Sequence, residues 1–437
     1  EPVMKIICLT VAVLLGSLYA SVPEDVEEFT LSNGIPVITR SIDNNEIEGV
    51  SFFIIGGSSA LTEETQGLER FSLECAMMGS EDFPGPEWRE LMDRTQAEWT
   101  SSFNYDYSRY HLRCIREDLP ILLSAFGNSL LYPELEENAF EQVRTSTIQD
   151  LQEKYNDPDG WIWFVANDAF MPGHTYRRLP DGTVETVSRF TIEDVSNMLN
   201  ERIRSGNLLI THAGPTKPEE LRSILEQAFG DIPEGGQEFQ QVEPFTINSD
   251  TIVVQHREVP TAYAVVKFNA PPQGHEDLLP FRAAMTVVYD LLWQVLRTDY
   301  ALTYSTHSGA TRYRENWGYM YVSSPQPVMA CSLMAEVLAE LIENPVDEDI
   351  VRGTIEKGRT LENLRAASKD NQCWMMGNSE ICTGDWRNAY TVFDNISELS
   401  SADLSAVLNR WIGYGGWGVI ADTTVVSIEQ LQPWPLK

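Results

Sequence analysis

Residues 97–115, "AEWTSSFNYDYSRYHLRCI", alternate apolar and polar positions, the two-residue period of half-buried β-strands. Directly after them, "REDLPILLSAFGNSLLYP" carries apolar residues at helical spacing and must end before Pro133. A second helical stretch, "ENAFEQVRTSTIQDLQEKYND", is stopped by Pro158. Strand and helix blocks keep alternating, without a phosphate-binding glycine loop between them. This pattern predicts an α+β fold built in layers.

The pattern also repeats. "SRFTIEDVSNMLNERIRSG" from Ser188 and "SELSSADLSAVLNRWIGYG" from Ser397 align without a gap at an offset of 209. Ser188/Ser397, Asp194/Asp403, Ser196/Ser405, Leu199/Leu408, Asn200/Asn409, Ile203/Ile412 and Gly206/Gly415 are identical pairs. In each copy a hydroxyl, Thr191 or Ser400, stands three residues before an aspartate, an acidic form of the helix capping box. A strand-like run, "NLLITHAG" or "WGVIADT", follows each. The front ends correspond as well: "GVSFFIIGGSSALTEETQGLERFSLECAMM" and "AYAVVKFNAPPQGHEDLLPFRAAMTVVYDLL" both run strand, loop, helix. Residues 230–250 are rich in Pro, Gly and Gln and lack apolar periodicity, which marks a linker. The expected organisation is therefore a hydrophobic segment (1–22), a first layered α/β domain (23–229), the linker (230–250) and a homologous second domain (251–437).

Composition narrows the function classes. The 437 residues include 43% hydrophobic and 22% charged side chains, enough apolar surface for two cores without metal or disulfide staples. With 31 basic against 65 acidic residues, the net charge of -34 repels phosphate backbones, so no nucleic-acid partner is expected. Such a field could draw in basic peptides, although solvated acidic faces are the plainer reading. None of the six cysteines forms a CxxC pair, and their sparseness fits a reducing compartment. Cys373 and Cys382 are the closest two, and no bridge is expected between them. Met4–Ala20 has the layout of a secretory leader. Because three residues precede Met4, a retained segment packed on a partner, a lipid surface or its own fold is the expectation.

Several motifs resemble the pitrilysin-type metallopeptidases, in the branch of mitochondrial processing peptidase and the core subunits of respiratory complex III. "GVSFFIIGGSSALTEETQGLERF" is similar to that family's strand, Gly-Ser turn and metal-helix start. "YNDPDGWIWFVANDAFMPGHTY" matches its Asp-Pro helix break and Pro-Gly-His segment. "LRTDYALTYS" is similar to its Arg…Tyr-Ser signature, with Arg297 and Tyr304 at the family separation. The resemblance implies two homologous domains enclosing a chamber.

Active members carry His-x-x-Glu-His on a helix, where two imidazoles one turn apart grip zinc and the glutamate activates water. Anchored on Gly67, Phe71 and Gly79, that motif falls on Arg70, Leu73 and Glu74, and the third ligand falls on Asp150. A guanidinium and an isobutyl group thus stand where a ligand and a base belong. A salt bridge from Arg70 to Glu74, shared with Asp150, is expected in place of a metal site. No metal or other cofactor is expected. Among the six histidines none lies three or four residues from another, and there is neither a P-loop nor a Gly-x-Ser-x-Gly elbow. Arg297 and Tyr304 are expected to be structural, the arginine on helix-end carbonyls or a carboxylate and the tyrosine packed on a strand. Asn395-Ile-Ser is a glycosylation sequon that matters only if the chain is secreted.

The resemblance implies a non-catalytic core subunit of complex III, peripheral to the inner membrane on the matrix side. Its expected partners are a sister core or processing-peptidase-like subunit and the membrane subunits, within a dimeric complex. A presequence-binding subunit of a processing peptidase is the alternative. "PFRAAMTVVYDLLWQVLRTDY" lacks the glycine-rich loop of the alpha subunit, which weakens that alternative. A secreted inactive homologue is the third reading.

Overall fold

The computed structural model describes residues 22–237, 241–391 and 399–436. Met4–Ala20 with Cys8, the Asn395 sequon and Ser397 lie outside them. The first half contributes strands β1 (Val26–Thr30), β2 (Pro36–Ser41), β3 (Ile47–Ile55), β4 (Glu98–Phe103), β5 (Tyr107–Ile115) and β6 (Leu208–Gly214). Its helices are α1 (Leu68–Ala76), α2 (Gly85–Thr95), α3 (Leu119–Leu131), α4 (Glu137–Asn156), α5 (Pro158–Phe170), α6 (Val184–Val187), α7 (Ile192–Arg202) and α8 (Pro218–Phe229). The second half supplies β7 (Thr251–His256), β8 (Ala262–Asn269), β9 (Ser305–Ala310), β10 (Trp317–Ser324) and β11 (Gly416–Ala421). Its helices are α9 (Leu278–Leu292), α10 (Pro327–Glu343), α11 (Glu348–Ala366), α12 (Lys369–Thr383), α13 (Asn388–Thr391) and α14 (Ser401–Trp411).

The two sheets carry one topology. The first runs β1-β2-β6-β3-β5-β4 and the second β7-β11-β8-β10-β9. Without β1, the orders superimpose position for position. In each sheet the pair at the same place, β2/β6 or β7/β11, is parallel and the remaining pairs are antiparallel. Both predicted capping boxes form: Thr191 and Asp194 bond each other's backbone N–H, and Ser400 and Asp403 do the same. These bonds satisfy N–H groups that the first turns of α7 and α14 would otherwise leave open.

Each sheet has two buried faces, and the halves exchange the helix that covers the second one. Phe52 points into the core beneath α1, α3 and α8, whereas its neighbour Phe53 packs with Ile38, Tyr107 and Leu209 against Met376 of α12. In the second sheet Val266 faces the local core, while Val265 and Ile420 pack against Ile162, Val165 and Ala166 of α5. Close approach explains two glycines of β11. A Cβ on Gly418 would lie 2.5 Å from the backbone N of Ala166, and one on Gly416 would lie 2.6 Å from Cα of Phe170.

The exchange corrects one expectation. β5 is not half-buried: Arg109 and His111 on its polar side are buried like Tyr110 and Leu112 on its apolar side. They meet the start of α12, where Arg109 pairs with Asp370 and His111 lies 3.5 Å from it. Residues 230–250 carry no helix or strand among the described residues, yet Val242 and Phe245 are pinned in an aromatic cluster with Phe170, Tyr176 and Trp317. Cys75, Cys114, Cys331, Cys373 and Cys382 are free thiols.

If the helix exchange holds the fold together, Gly418→Ala should cost about 1–3 kcal/mol through overpacking against α5. Gly413→Ala, whose Cβ meets nothing within 4 Å, should stay within about 0.5 kcal/mol of the parent. Urea denaturation of the two variants checks the contrast.

Candidate functional site

The site is built on α1, a helix buried on nearly every side. Leu68, Phe71, Ser72, Leu73, Cys75 and Ala76 are buried, and Phe71 packs edge-on to Phe140 at 5.3 Å. Only Arg70 and Glu74, one turn apart, form a half-buried stripe. The helix starts at Gly67, whose φ of 87° suits glycine and whose Cβ would lie 2.5 Å from Cα of Gly182. That contact brings the loop carrying Asp181 up to the helix.

The structure gathers Arg70, Glu74 and Asp150 into one ionic network. Arg70 Nε donates to Glu74 Oε1 at 2.8 Å, Nη1 donates to Asp181 Oδ1 at 2.6 Å, and Nη2 lies 3.6 Å from Asp150 Oδ2. Lys154 Nζ donates to the other Asp181 oxygen at 2.5 Å, and Thr147 Oγ1 donates to Glu74 Oε2 at 3.4 Å. Thr147, Asp150 and Lys154 rise along one face of α4, and the guanidinium sits 5.6 Å from the Phe103 ring. Asp181 and Lys154 escaped the sequence reading. Their only signal was Gly67, a glycine that implies a close neighbour without naming it.

The electrostatics divide the carboxylates. Burial pushes Glu74 above the usual carboxylate range, against the pull of Arg70. Burial also opposes ionisation of Asp181, but Lys154 and Arg70 outweigh it and hold that carboxyl below its ordinary value. Beside the network, Glu69 is 3% exposed and takes a 2.9 Å ion pair from Arg202 and a bond from Ser108.

This donor set does not fit zinc. A cation would have to displace the Arg70 guanidinium, and the nearest carboxylates are already committed to it. Leu73 is 1% exposed inside the core, so no base stands beside the cleft at that position. Among the described residues no group of three or more His, Cys, Asp or Glu side chains is placed to hold a metal. The histidines serve elsewhere. His212, fully buried, bonds Glu48 at 2.7 Å, and His111 bonds Ser51 at 2.9 Å.

Arg297 and Tyr304 correct the expected roles. Arg297 lies in a π-helical turn after α9, its guanidinium over the Trp293 ring at 4.2 Å rather than on a carboxylate or a carbonyl. Tyr304 is 91% exposed. Its neighbour Thr303 is buried, its hydroxyl facing the carbonyls of Ser305 and Ser323, and the chain bends at Tyr304 just before β9.

Two layered halves of one topology define the class of protein. The family described as "Insulinase (Peptidase family M16)" matches residues 36–169, and "Peptidase M16 inactive domain" matches residues 189–357. The chain belongs to the M16 peptidase family. It is 22% identical over 410 residues to the mitochondrial-processing peptidase subunit beta of Dictyostelium discoideum, covering 89% of this chain and 87% of the relative. It is 19% identical over 270 residues to cytochrome b-c1 complex subunit 1, mitochondrial, of Rattus norvegicus, covering 61% of this chain and 56% of the relative. The crystal structure of a protease from Helicobacter pylori shares the fold with a TM-score of 0.83 at 14% identity, over 90% of this chain and 98% of that one.

Removing the central cation should be costly. Arg70→Ala strands Glu74 and Asp181 in a partly buried cleft and should destabilise the protein by about 2–4 kcal/mol. Asp181 supplies the pH test. Its folded pKa is depressed, so its stabilisation is present above the unfolded value of about 3.9 and is lost as pH falls through the folded value. The stability gap between the parent and Asp181→Asn should therefore be full at neutral pH and narrow below about pH 4. Denaturant titrations across that range measure it.

Proposed function

We propose that this chain is a non-catalytic M16 subunit that works by bracing other proteins. The observation that carries the reading is the guanidinium of Arg70, paired with carboxylates where the family's metal would sit, with Leu73 in place of a base. Within that class it takes the part of a core subunit of mitochondrial ubiquinol–cytochrome c reductase, respiratory complex III. In this reading it lies peripheral to the inner membrane on the matrix side, paired with a sister core subunit beneath the membrane subunits, and carries no cofactor of its own. The likeness to the rat b-c1 subunit supports that position. No described helix is long and apolar enough to cross a membrane. The domain division at residues 230–250 belongs to the same proposal.

A presequence-binding subunit of a processing peptidase is the second reading, favoured by the net charge of -34 and the likeness to the beta subunit. The leader-like Met4–Ala20 favours a third, a secreted inactive homologue.

Metal analysis of the purified chain should find no stoichiometric zinc, and a chelator should abolish no proteolysis traceable to it. Stoichiometric zinc or chelator-sensitive cleavage would sink the non-catalytic reading. Gentle detergent solubilisation should release the chain with cytochromes b and c at fixed stoichiometry. Release with an intact His-x-x-Glu-His partner and no haem would replace the core reading by the second, and a mature N-terminus near Ser21 by the third.

A further inference from the structure

The second half carries an apolar trough on its outer surface. Two hollows, of about 540 Å³ and about 340 Å³, lie at the first turns of α10, and both are bounded by Pro325, Pro327, Val425 and Val426. They form one depression. It runs along α10 through Met329 and Leu333 to Glu336, about 12 Å of helix from Val328. At the other end it reaches Val259 and Pro260, between β7 and β8. Val328, Leu333 and Val426 rest against the second core, but Met329 is 40% exposed, Val425 80%, and Ile428 on the same segment 60%. A lone exposed apolar side chain is ordinary, whereas several gathered around a hollow mark a contact surface.

The rim of the trough is fixed. The Asp422 carbonyl accepts the N–H groups of Val425 at 3.0 Å and Val426 at 2.9 Å. The Asp422 carboxylate accepts the Thr424 N–H at 2.9 Å and its hydroxyl at 2.6 Å. This turn seats Val426 on the core and holds Val425 outward. An apolar group displayed on an ordered turn costs a partner little ordering on contact.

Charge selects the partner. The trough is edged by three carboxylates, Glu258, Glu336 and Asp422, and among the described residues its lining includes no lysine or arginine. The groups that bond these carboxylates are neutral: the Ser332 hydroxyl donates to Glu336 at 2.9 Å, and Thr424 serves Asp422. His256, beside Asp422, has its Nδ1 taken by Thr423. A second copy of this chain would set the same carboxylates against these, and an anionic lipid surface would be repelled in the same way.

We infer that this trough docks a segment of a partner protein in which apolar side chains are flanked by lysine or arginine. The apolar groups would cover Met329 and Val425, and the cations would meet Glu258, Glu336 and Asp422. The inference goes beyond the proposed function and does not lean on it, since neither the Arg70 network nor a place in complex III enters it. Zinc in the chain would leave it standing.

Fluorescence anisotropy with the full chain and a labelled octapeptide of Lys-Leu-Leu-Lys blocks tests it. One saturable site per chain is expected. Val425→Ser with Met329→Ser should weaken binding by about tenfold or more, the loss of two apolar contacts. Glu258→Gln with Glu336→Gln should weaken it by about fivefold. Glu87→Gln with Glu90→Gln, on the exposed face of α2, should leave it unchanged. If the apolar pair does not fold, Val425→Ser alone, at a side chain already in solvent, takes its place. Absence of saturable binding would overturn the inference, as would binding that survives a folded apolar variant. Equal binding of a Lys-Ser-Ser-Lys octapeptide, or equal weakening by the α2 pair, would reduce the effect to the net charge and overturn it too. So would a dimer that the apolar variant converts to monomer in sedimentation, because a second copy would then be the occupant.

Discussion

The structure depends on a reciprocal exchange: α5 covers the second sheet and α12 covers the first. Each sheet has apolar side chains on both faces, and the helices of its own half shield only one. Without the exchange, Phe53, Ile38 and Leu209 on one side, and Val265 and Ile420 on the other, would face water. Each such side chain contributes about 1.5–3 kcal/mol when buried. The glycines of β11 keep α5 close enough to use that surface fully. The duplicated topology is thus two halves that complete each other's core. The ionic site lies where the exchange begins, because α4 carries Asp150 and Lys154 just before Pro158 turns the chain across.

That position explains what Arg70 does. A metal between α1 and α4 would tie two helices through ligands from each. The guanidinium does the same tying with planar N–H donors and a permanent charge. It reaches Glu74 on its own helix, Asp181 on the loop at Gly182 and Asp150 on α4. Lys154 then supplies a second positive charge to Asp181. What a guanidinium cannot supply is Lewis acidity or a water of lowered pKa. The guanidinium ties the two helices together, and among the described residues no group of His, Cys, Asp or Glu is placed beside them to hold a metal.

Much of this was legible in the chain. The offset of 209 is carried by side chains whose local roles fix them, such as Thr191 and Asp194 or Ser400 and Asp403, which bond within one turn. Arg70 and Glu74 were readable for the same reason, since i,i+4 neighbours on a helix must meet. The exchange was not readable, because the polar residues of β5 look solvent-facing until α12 is known to lie on them. Asp181 was hidden because its partner is 111 residues away in sequence and the contact is set by a loop. Tyr304 was misread because a family signature says that a residue recurs, not which way it points; here it stands exposed in the bend before β9.

The two halves have also diverged in opposite senses from one plan. Along α4, Phe140 packs on Phe71 of α1, and further along the helix Thr147, Asp150 and Lys154 meet the Arg70 network. Along α11 the positions 211 residues after Thr147 and Asp150 carry Gly358 and Leu361, and Leu361 is 53% exposed beside Leu364 at 67%. An exposed leucine on a surface helix is ordinary by itself. Leu361 lines the cavity between α9, α11 and α12, while Val351 and Ile355 already seat α11 on the core. Duplication gave the chain the same helix pair twice. In one copy ion pairs fill the space between the helices, and in the other a cavity of about 440 Å³ remains.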